Sequence, residues 1–329
     1  MKFNIKRRLA LIHQAQAAIA LVAMSLPLHA QTWPEKPIKL VVPYPAGGNA
    51  DNTARLLATQ LSERLGQQVV VDNRPGGGGT IGAAAVAKAQ PDGYTLLLDA
   101  TAFTVNPSLF AKLSFDAGKD FTPISLVMQA PLLLVVPAAS PFKTVADLMQ
   151  GAKSRPGQLT YASAGNGGAQ HLAGELFKQG AKVSITHIPY RGGAPALTDL
   201  IGGQVDLMFS ATTASGPFVK GGKLRALAIT SAQRVPGWEK VPTVAESGLP
   251  DFQVNEWNGL FAPAGTPKPI VDRLEAETRA IVASPAMQQR FAELGVQGVG
   301  SSAQEFKAFV QSETAKWAGV IRKSGIRMD

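Results

Sequence analysis

Residues 39–65, KLVVPYPAGGNADNTARLLATQLSERL, decide the fold. Leu40, Val41 and Val42 form a short apolar run, Pro43 and Pro45 stop it, and Gly47 and Gly48 turn the backbone. Ala54, Leu57, Ala58, Leu61 and Leu65 then recur at the spacing of one buried helix face. The stretch therefore reads as strand, glycine turn and amphipathic helix. Its glycines and polar residues fall at the helix N-terminus, where unpaired backbone N–H groups and the positive end of the helix dipole favour an anion. A Cβ at either glycine would hold a ligand away from those donors. The turn has neither the Lys-Ser/Thr of a P-loop nor the G-x-G-x-x-G of a dinucleotide fold, and any tight strand-to-helix turn also uses glycine. It becomes informative only by recurring.

It does recur. Val69 to Val71 reads as a second strand, Asn73 to Thr80 as a glycine-rich loop, Ile81 to Ala89 as a helix, and Tyr94 to Leu98 as a strand with Thr101 and Thr104 beyond its end. After the long apolar run Leu132 to Val136, a second set of units follows. Thr160 to Ala162 leads through Ser163, Ala164, Gly165, Asn166, Gly167 and Gly168 into the helix Ala169 to Gln179. Ser184 to Ile188 leads through Pro189, Tyr190, Arg191, Gly192 and Gly193 into the helix Ala194 to Ile201, and Val205 to Phe209 into Ser210 to Thr213. Leu224 to Thr230 is another strand, 236–250 is rich in Pro and Gly, and 269–324 reads as three helices. Alternating strands and helices predict an α/β fold with parallel-dominated sheets, in which ligands bind at the carboxyl ends of the strands.

At the N-terminus, Lys2, Lys6, Arg7 and Arg8 precede a run of 12 largely apolar residues from Ala17 to Leu28, and Leu28-His29-Ala30 ends it. This predicts a signal peptide over 1–30, cleaved near Ala30, with a soluble periplasmic product; the flanks of Arg7-Arg8 fit the general export route better than the twin-arginine one. The remaining 299 residues hold 28 basic and 23 acidic side chains, a net +5, without the Lys/Arg blocks that nucleic acid would require. There is no cysteine, which excludes disulfides, a cysteine nucleophile and a lipid-anchored cysteine. Of the four histidines only His171 and His187 lie beyond the signal peptide, so a three-histidine metal site is excluded. The sequence Tyr161-Ala162-Ser163-Ala164-Gly165 lacks the first glycine of a nucleophile elbow, and His171 reads as a pocket-rim or solvent residue rather than a base. No catalytic residue, metal or cofactor is expected.

The run from Lys36 to Leu97, with LTYASAGNGGAQHLAGELF, HIPYRGGAPALTDLIGGQVDLMF, GKLRALAITSAQR, VPTVAESGLP and FAPAGTPKPIVDRL in order, resembles the periplasmic receptors of the tripartite tricarboxylate transporter system, the Bug-type receptors. The likeness covers essentially all of the exported chain. It implies a two-domain Venus-flytrap of the type II periplasmic-binding-protein fold with two crossover strands as a hinge. Domain one is expected over 31–124 and 231–329, domain two over 125–230. The resemblance further implies a monomer that hands a small aromatic, di- or tricarboxylic acid to a permease of one large and one small subunit. By the same resemblance, Tyr44, Pro45, Ala46, Gly47, Gly48 and Asn49 line the ligand from one domain and Ser163, Ala164, Gly165 and Asn166 from the other. Asp51 matches the family's acid after the double glycine, although as an early-turn helix acid it would also act through the dipole alone. Thr80, Thr101, Tyr190, Arg191 and Trp257 fall at pocket-wall positions, and His171 at the rim. Two departures bear on specificity: Ser210-Ala211-Thr212-Thr213 stands where many relatives have Asp-Asn, and Thr80 where Asn is common. Ser210 and Thr212 are kept as candidate ligand contacts. The competing readings are a ligand-sensing co-receptor of a two-component kinase, with the same fold and pocket, and a periplasmic hydrolase.

Overall fold

Strand β1 (Ile38–Val42) runs parallel to β2 (Val69–Asn73) on one side and to β3 (Thr95–Ala100) on the other. The computed structural model describes residues 33–326 except Arg191, so the expected signal peptide lies outside the described residues. Helix α1 (Asn49–Leu65) follows β1, buries the expected Ala54, Leu57, Ala58 and Leu61, and ends at Gly66, whose left-handed φ of 70° lets its N–H close on Ser62 O. Helix α2 (Thr80–Ala87) precedes β3, and α3 (Ala102–Leu109) follows it.

Strand β4 (Phe121–Pro137) is 17 residues long and serves both halves of the molecule. Its residues 121–131 pair antiparallel with β9 (Asn255–Pro263), which itself pairs with β3. Its residues 132–137 pair instead with β7 (Leu207–Ala211) and β8 (Leu224–Ile229). Strands β5 (Thr160–Ser163) and β6 (Thr186–Pro189) extend the second half in parallel. One hydrogen-bonded path thus runs β2-β1-β3-β9-β4-β7-β5-β6, with the partners of β4 changing at Pro131/Leu132. Both halves are mixed rather than parallel-dominated, because the strands that cross between them run against the βα units. At the change of partner, Thr230 is fully buried: its Oγ1 accepts from Leu132 N at 2.7 Å and donates to Val254 O at 2.5 Å. This ties the outgoing crossover to the returning one.

The second half carries α4 (Val145–Ser154), α5 (Ala169–Ala181), α6 (Gly193–Ile201) and α7 (Thr212–Lys220). The chain closes with α8 (Lys268–Ala283), α9 (Pro285–Glu293), the short β10 (Gln297–Gly298) paired to β4, and α10 (Ala303–Ser324). Phe306 of α10 packs in the first core with Phe103, Phe121, Trp257 and Phe261. Trp317, Val320 and Ile321, further along the same helix, pack in the other core with Phe177, Phe209 and Phe252. Among the described residues no helix is long and apolar enough to cross a membrane.

Candidate functional site

A cleft of about 730 Å³ is lined from both halves, and five helices begin at it. Asn49 and Ala50 open α1, Ala102 opens α3, Ala169 and Gln170 open α5, Gly193 and Ala194 open α6, and Thr213 and Ala214 lie in the first turn of α7. None of the five has a side-chain N-cap hydrogen bond. Of the helices that start elsewhere, α4, α9 and α10 are capped by Thr144, Ser284 and Ser302, whereas α2 and α8 have no side-chain cap. A capping oxygen consumes the N–H groups and local positive potential that an anion needs. Leaving five starts uncapped around one cavity turns it into a concave set of donors. Among the described lining residues none is Lys, Arg or His, so the donors an anion meets are backbone N–H groups and neutral side chains.

The first turn is held from behind. Asp51 is buried, and its carboxylate accepts from Gly47 N at 2.8 Å, Arg55 Nε at 2.9 Å and Asn73 Nδ2 at 2.9 Å. The Arg55 guanidinium, with these other donors, lowers its pKa from 3.8 to about 2. Gly47 has φ +82°, a conformation strained for any residue with a Cβ. Asp51 therefore positions Gly47 and does not itself line the cleft. Tyr44 does, and its hydroxyl donates to Asp99 Oδ1 at 2.7 Å. Burial pushes Asp99 up to about 7 and, with the neighbouring Asp99, raises Tyr44 well above its ordinary value.

The second turn rests on a buried stack. His171 and His187 lie with ring centroids 3.9 Å apart and planes at 6°, and Tyr161 stacks 4.7 Å from His187. Gly167 N donates to His171 Nδ1 at 3.0 Å, which requires the neutral ring. Burial lowers His171 to about 4, and burial with the adjacent His171 lowers His187 to about 3. Ser163 Oγ lies 2.7 Å from His187 Nε2, a contact that resembles a nucleophile and its base. Ser163 is 0% exposed, however, and its Oγ also donates to Gly165 O and accepts from Gly165 N. It braces the turn, out of reach of a substrate.

Strand β9 supplies a wall that the sequence did not reveal. Glu256 and Asn258 face the cleft, while the Trp257 ring between them is fully buried edge-on against Phe306 and Phe309. Three buried polar atoms in lining residues have no partner: Thr101 Oγ1, Trp257 Nε1 and Asn258 Oδ1. Buried polar groups are nearly always paired, so Thr101 Oγ1 and Asn258 Oδ1 are left open to a bound molecule, whereas Trp257 Nε1 belongs to a ring packed into the first core.

Of the candidate residues, the cleft brings together Tyr44, Pro45, Ala46, Gly47, Gly48, Asn49, Thr101, Ala164 and Trp257. The others lie outside its lining. Thr80 bonds Gly77 O at the start of α2, Tyr190 donates to Asp199 at 2.7 Å, and Thr212 donates to Gly295 O at 2.8 Å. Ser210 is fully buried on β7, Asn166 is exposed, and Ser163, Gly165 and His171 build the second turn from behind. Arg191 lies outside the described residues. Glu256, Asn258 and Gln170 are lining residues that the sequence did not single out. Among the described residues no group of His, Cys, Asp and Glu could hold a metal.

Two α/β halves joined by crossover strands, with uncapped helix starts meeting between them, define a solute-binding protein of the type II Venus-flytrap class. Residues 53–326 match the family described as tripartite tricarboxylate transporter family receptor, and the chain belongs to that family. Protein BugT of Bordetella pertussis is 37% identical over 327 residues, 99% of each chain. The solved structure of R. palustris Rpa4515 with adipate is 38% identical with a TM-score of 0.82, covering 90% of this chain and 99% of that one. MatC from Rhodopseudomonas palustris with bound malate is 35% identical with a TM-score of 0.78, covering 88% and 100%.

Proposed function

We propose that the chain is a periplasmic receptor that captures a small carboxylate in the cleft and delivers it to a membrane permease of one large and one small subunit. The observation that carries this is the meeting of five uncapped helix starts at one cavity with no described cationic side chain in its lining. Each charge-assisted hydrogen bond contributes about 1.5–3 kcal/mol, so a few suffice for tight binding without a buried cation. The adipate and malate held by its structural relatives agree with that ligand class. Residues 31–124 with 231–329 form one moving body and 125–230 the other, and the receptor works as a monomer after removal of residues 1–30. No residue is assigned to catalysis.

The test is a thermal-shift screen of the purified protein against mono-, di- and tricarboxylates, aromatic acids, amino acids and neutral sugars. A ligand at ~100 times its Kd should stabilise by about 2.7 kcal/mol. Gly168 lines the cleft with an ordinary φ of −75°, and a Cβ there meets open space. Gly168→Leu should therefore leave the fold intact and weaken carboxylate binding at least tenfold. Stabilisation by neutral ligands alone would reject the reading.

A further inference from the structure

Anion capture accounts for the helix starts but not for Glu256. This residue shares the cleft face of β9 with Asn258, two positions along the strand. Its Oε2 accepts from Asn49 Nδ2 at a long 3.4 Å, and the Gln170 side chain also donates to it. The other end of the Gln170 amide is committed, accepting from Ala164 N at 2.9 Å. A carboxylate has about four acceptor positions. No described cation lines the cleft to answer the rest. Asn258 commits its Nδ2 to Trp257 O at 3.1 Å and leaves a buried Oδ1 without a donor. The cleft is therefore polarised. Backbone donors gather at the helix starts, while the face of β9 displays two acceptors short of donors.

We propose that Glu256 selects the ligand by its hydrogen-bond donors: the cleft takes a carboxylate that also carries an ammonium or hydroxyl group and discriminates against plain di- and tricarboxylates. This inference rests on the receptor reading above. A second ligand carboxylate beside Glu256 would add like-charge repulsion in a site that excludes water, whereas an ammonium has donors for both acceptors and a hydroxyl for one of them. Burial raises the Glu256 pKa, the Asn49 and Gln170 amides oppose that rise by favouring the charged form, and a cationic ligand group would favour it further.

Two matched series test it by calorimetric titration at neutral pH: butyrate, 4-hydroxybutyrate, 4-aminobutyrate and succinate; and 4-methylbenzoate, 4-hydroxybenzoate, 4-(aminomethyl)benzoate and terephthalate. Each series holds one carboxylate constant and varies the far group. In at least one series the hydroxyl or ammonium member should bind at least tenfold tighter than the diacid, and the two arms report which donor is preferred. Glu256→Gln should bring the preference below threefold, the hydroxyl or ammonium member losing more affinity than butyrate or 4-methylbenzoate does. Asn258→Asp, a second variant, should sharpen the preference for the ammonium. Diacids binding as tightly as donor-bearing ligands, a preference that survives Glu256→Gln, or diacid binding with uptake of one proton would each overturn the assignment while leaving the receptor reading standing. If no carboxylate binds at all, the receptor reading falls and takes the inference with it.

Discussion

Replacing Asp51 with asparagine removes a charge and little else, so its effect can be worked from the structure. The side chain is 2% exposed and holds Gly47 N, Arg55 and Asn73. The substituted amide would keep an oxygen for Gly47 N but lose the attraction to Arg55 and one acceptor for Asn73. A carboxyl whose pKa falls from 3.8 to about 2 on folding stabilises the folded state by about 2 kcal/mol at neutral pH. That contribution is complete above the unfolded value and is lost as the pH falls through the folded one; about half should remain at pH 3. Urea denaturation of wild type and Asp51→Asn at pH 7 and at pH 3 gives the two differences. The expected gap is about 2 kcal/mol at pH 7, shrinking toward half at pH 3, with weaker carboxylate binding because Gly47 is less firmly placed. A gap under about 0.5 kcal/mol at pH 7, or one independent of pH, would refute the idea that a charged Asp51 anchors the first turn.

A Cβ at Gly167 would lie 2.4 Å from Leu109 Cδ1, across from the second turn to α3. Gly167 also has a left-handed φ of +77°, so Gly167→Val should strain the second turn as well as crowd Leu109 and cost at least tenfold in carboxylate affinity; unchanged affinity counts against it. His171 at about 4 and His187 at about 3 both sit below the ordinary 6.5, so their contribution is complete above about pH 6.5 and declines as pH falls toward those folded values. By pH 5 the pair should cost roughly 2–4 kcal/mol. Asp99, raised to about 7, acts in the opposite sense over the same range, so the readout is the difference in urea stability between wild type and His171→Gln/His187→Gln. A difference that does not change between pH 7.5 and pH 5 would show that the stack is not kept neutral by the fold. A Cβ at Gly259 would lie 2.0 Å from Phe306 Cζ in the first core. Gly259→Ala should lose about 1–3 kcal/mol, and an unaltered denaturation midpoint would contradict the packing.

The repeated strand, glycine turn and helix were legible because each is a local pattern: an apolar run, a residue free to turn, then a 3.6-residue period. Helices α1 and α5 follow that pattern closely, with buried Leu57 and Leu61 in one and Leu172 and Phe177 in the other. Helices α3 and α7 escaped notice because Pro107 and Pro217 stand inside them and read as breakers. Strand β9 was missed for a related reason: Asn255, Glu256, Asn258 and Gly259 interrupt its apolar run, since one face borders the cleft and the other packs under α10. The turn residues 44–49 could be placed at the cleft from sequence because strand, glycine turn and helix start are contiguous in the chain. His171 and His187 could not be paired, because the parallel register that sets Tyr161 opposite His187 is a tertiary fact. The same holds for Gly47 and Asp51 against Asn73, whose meeting depends on β1 lying beside β2.

Helix α10 is anchored at both ends to different partners, Phe306 beneath β9 and Trp317 against the core that contains Phe177, with Gln179 of α5 donating to Val320 O at 3.0 Å. A rod of 22 residues is about 33 Å long and resists bending. It works as a splint laid across the joint. Any motion of one half against the other, a door-like swing or a twist about the rod, must shift one of its seats against an apolar core. The helix therefore couples the two halves through side chains remote from the cleft in sequence, and Trp317 and Phe306 brake any relative motion that would unseat them.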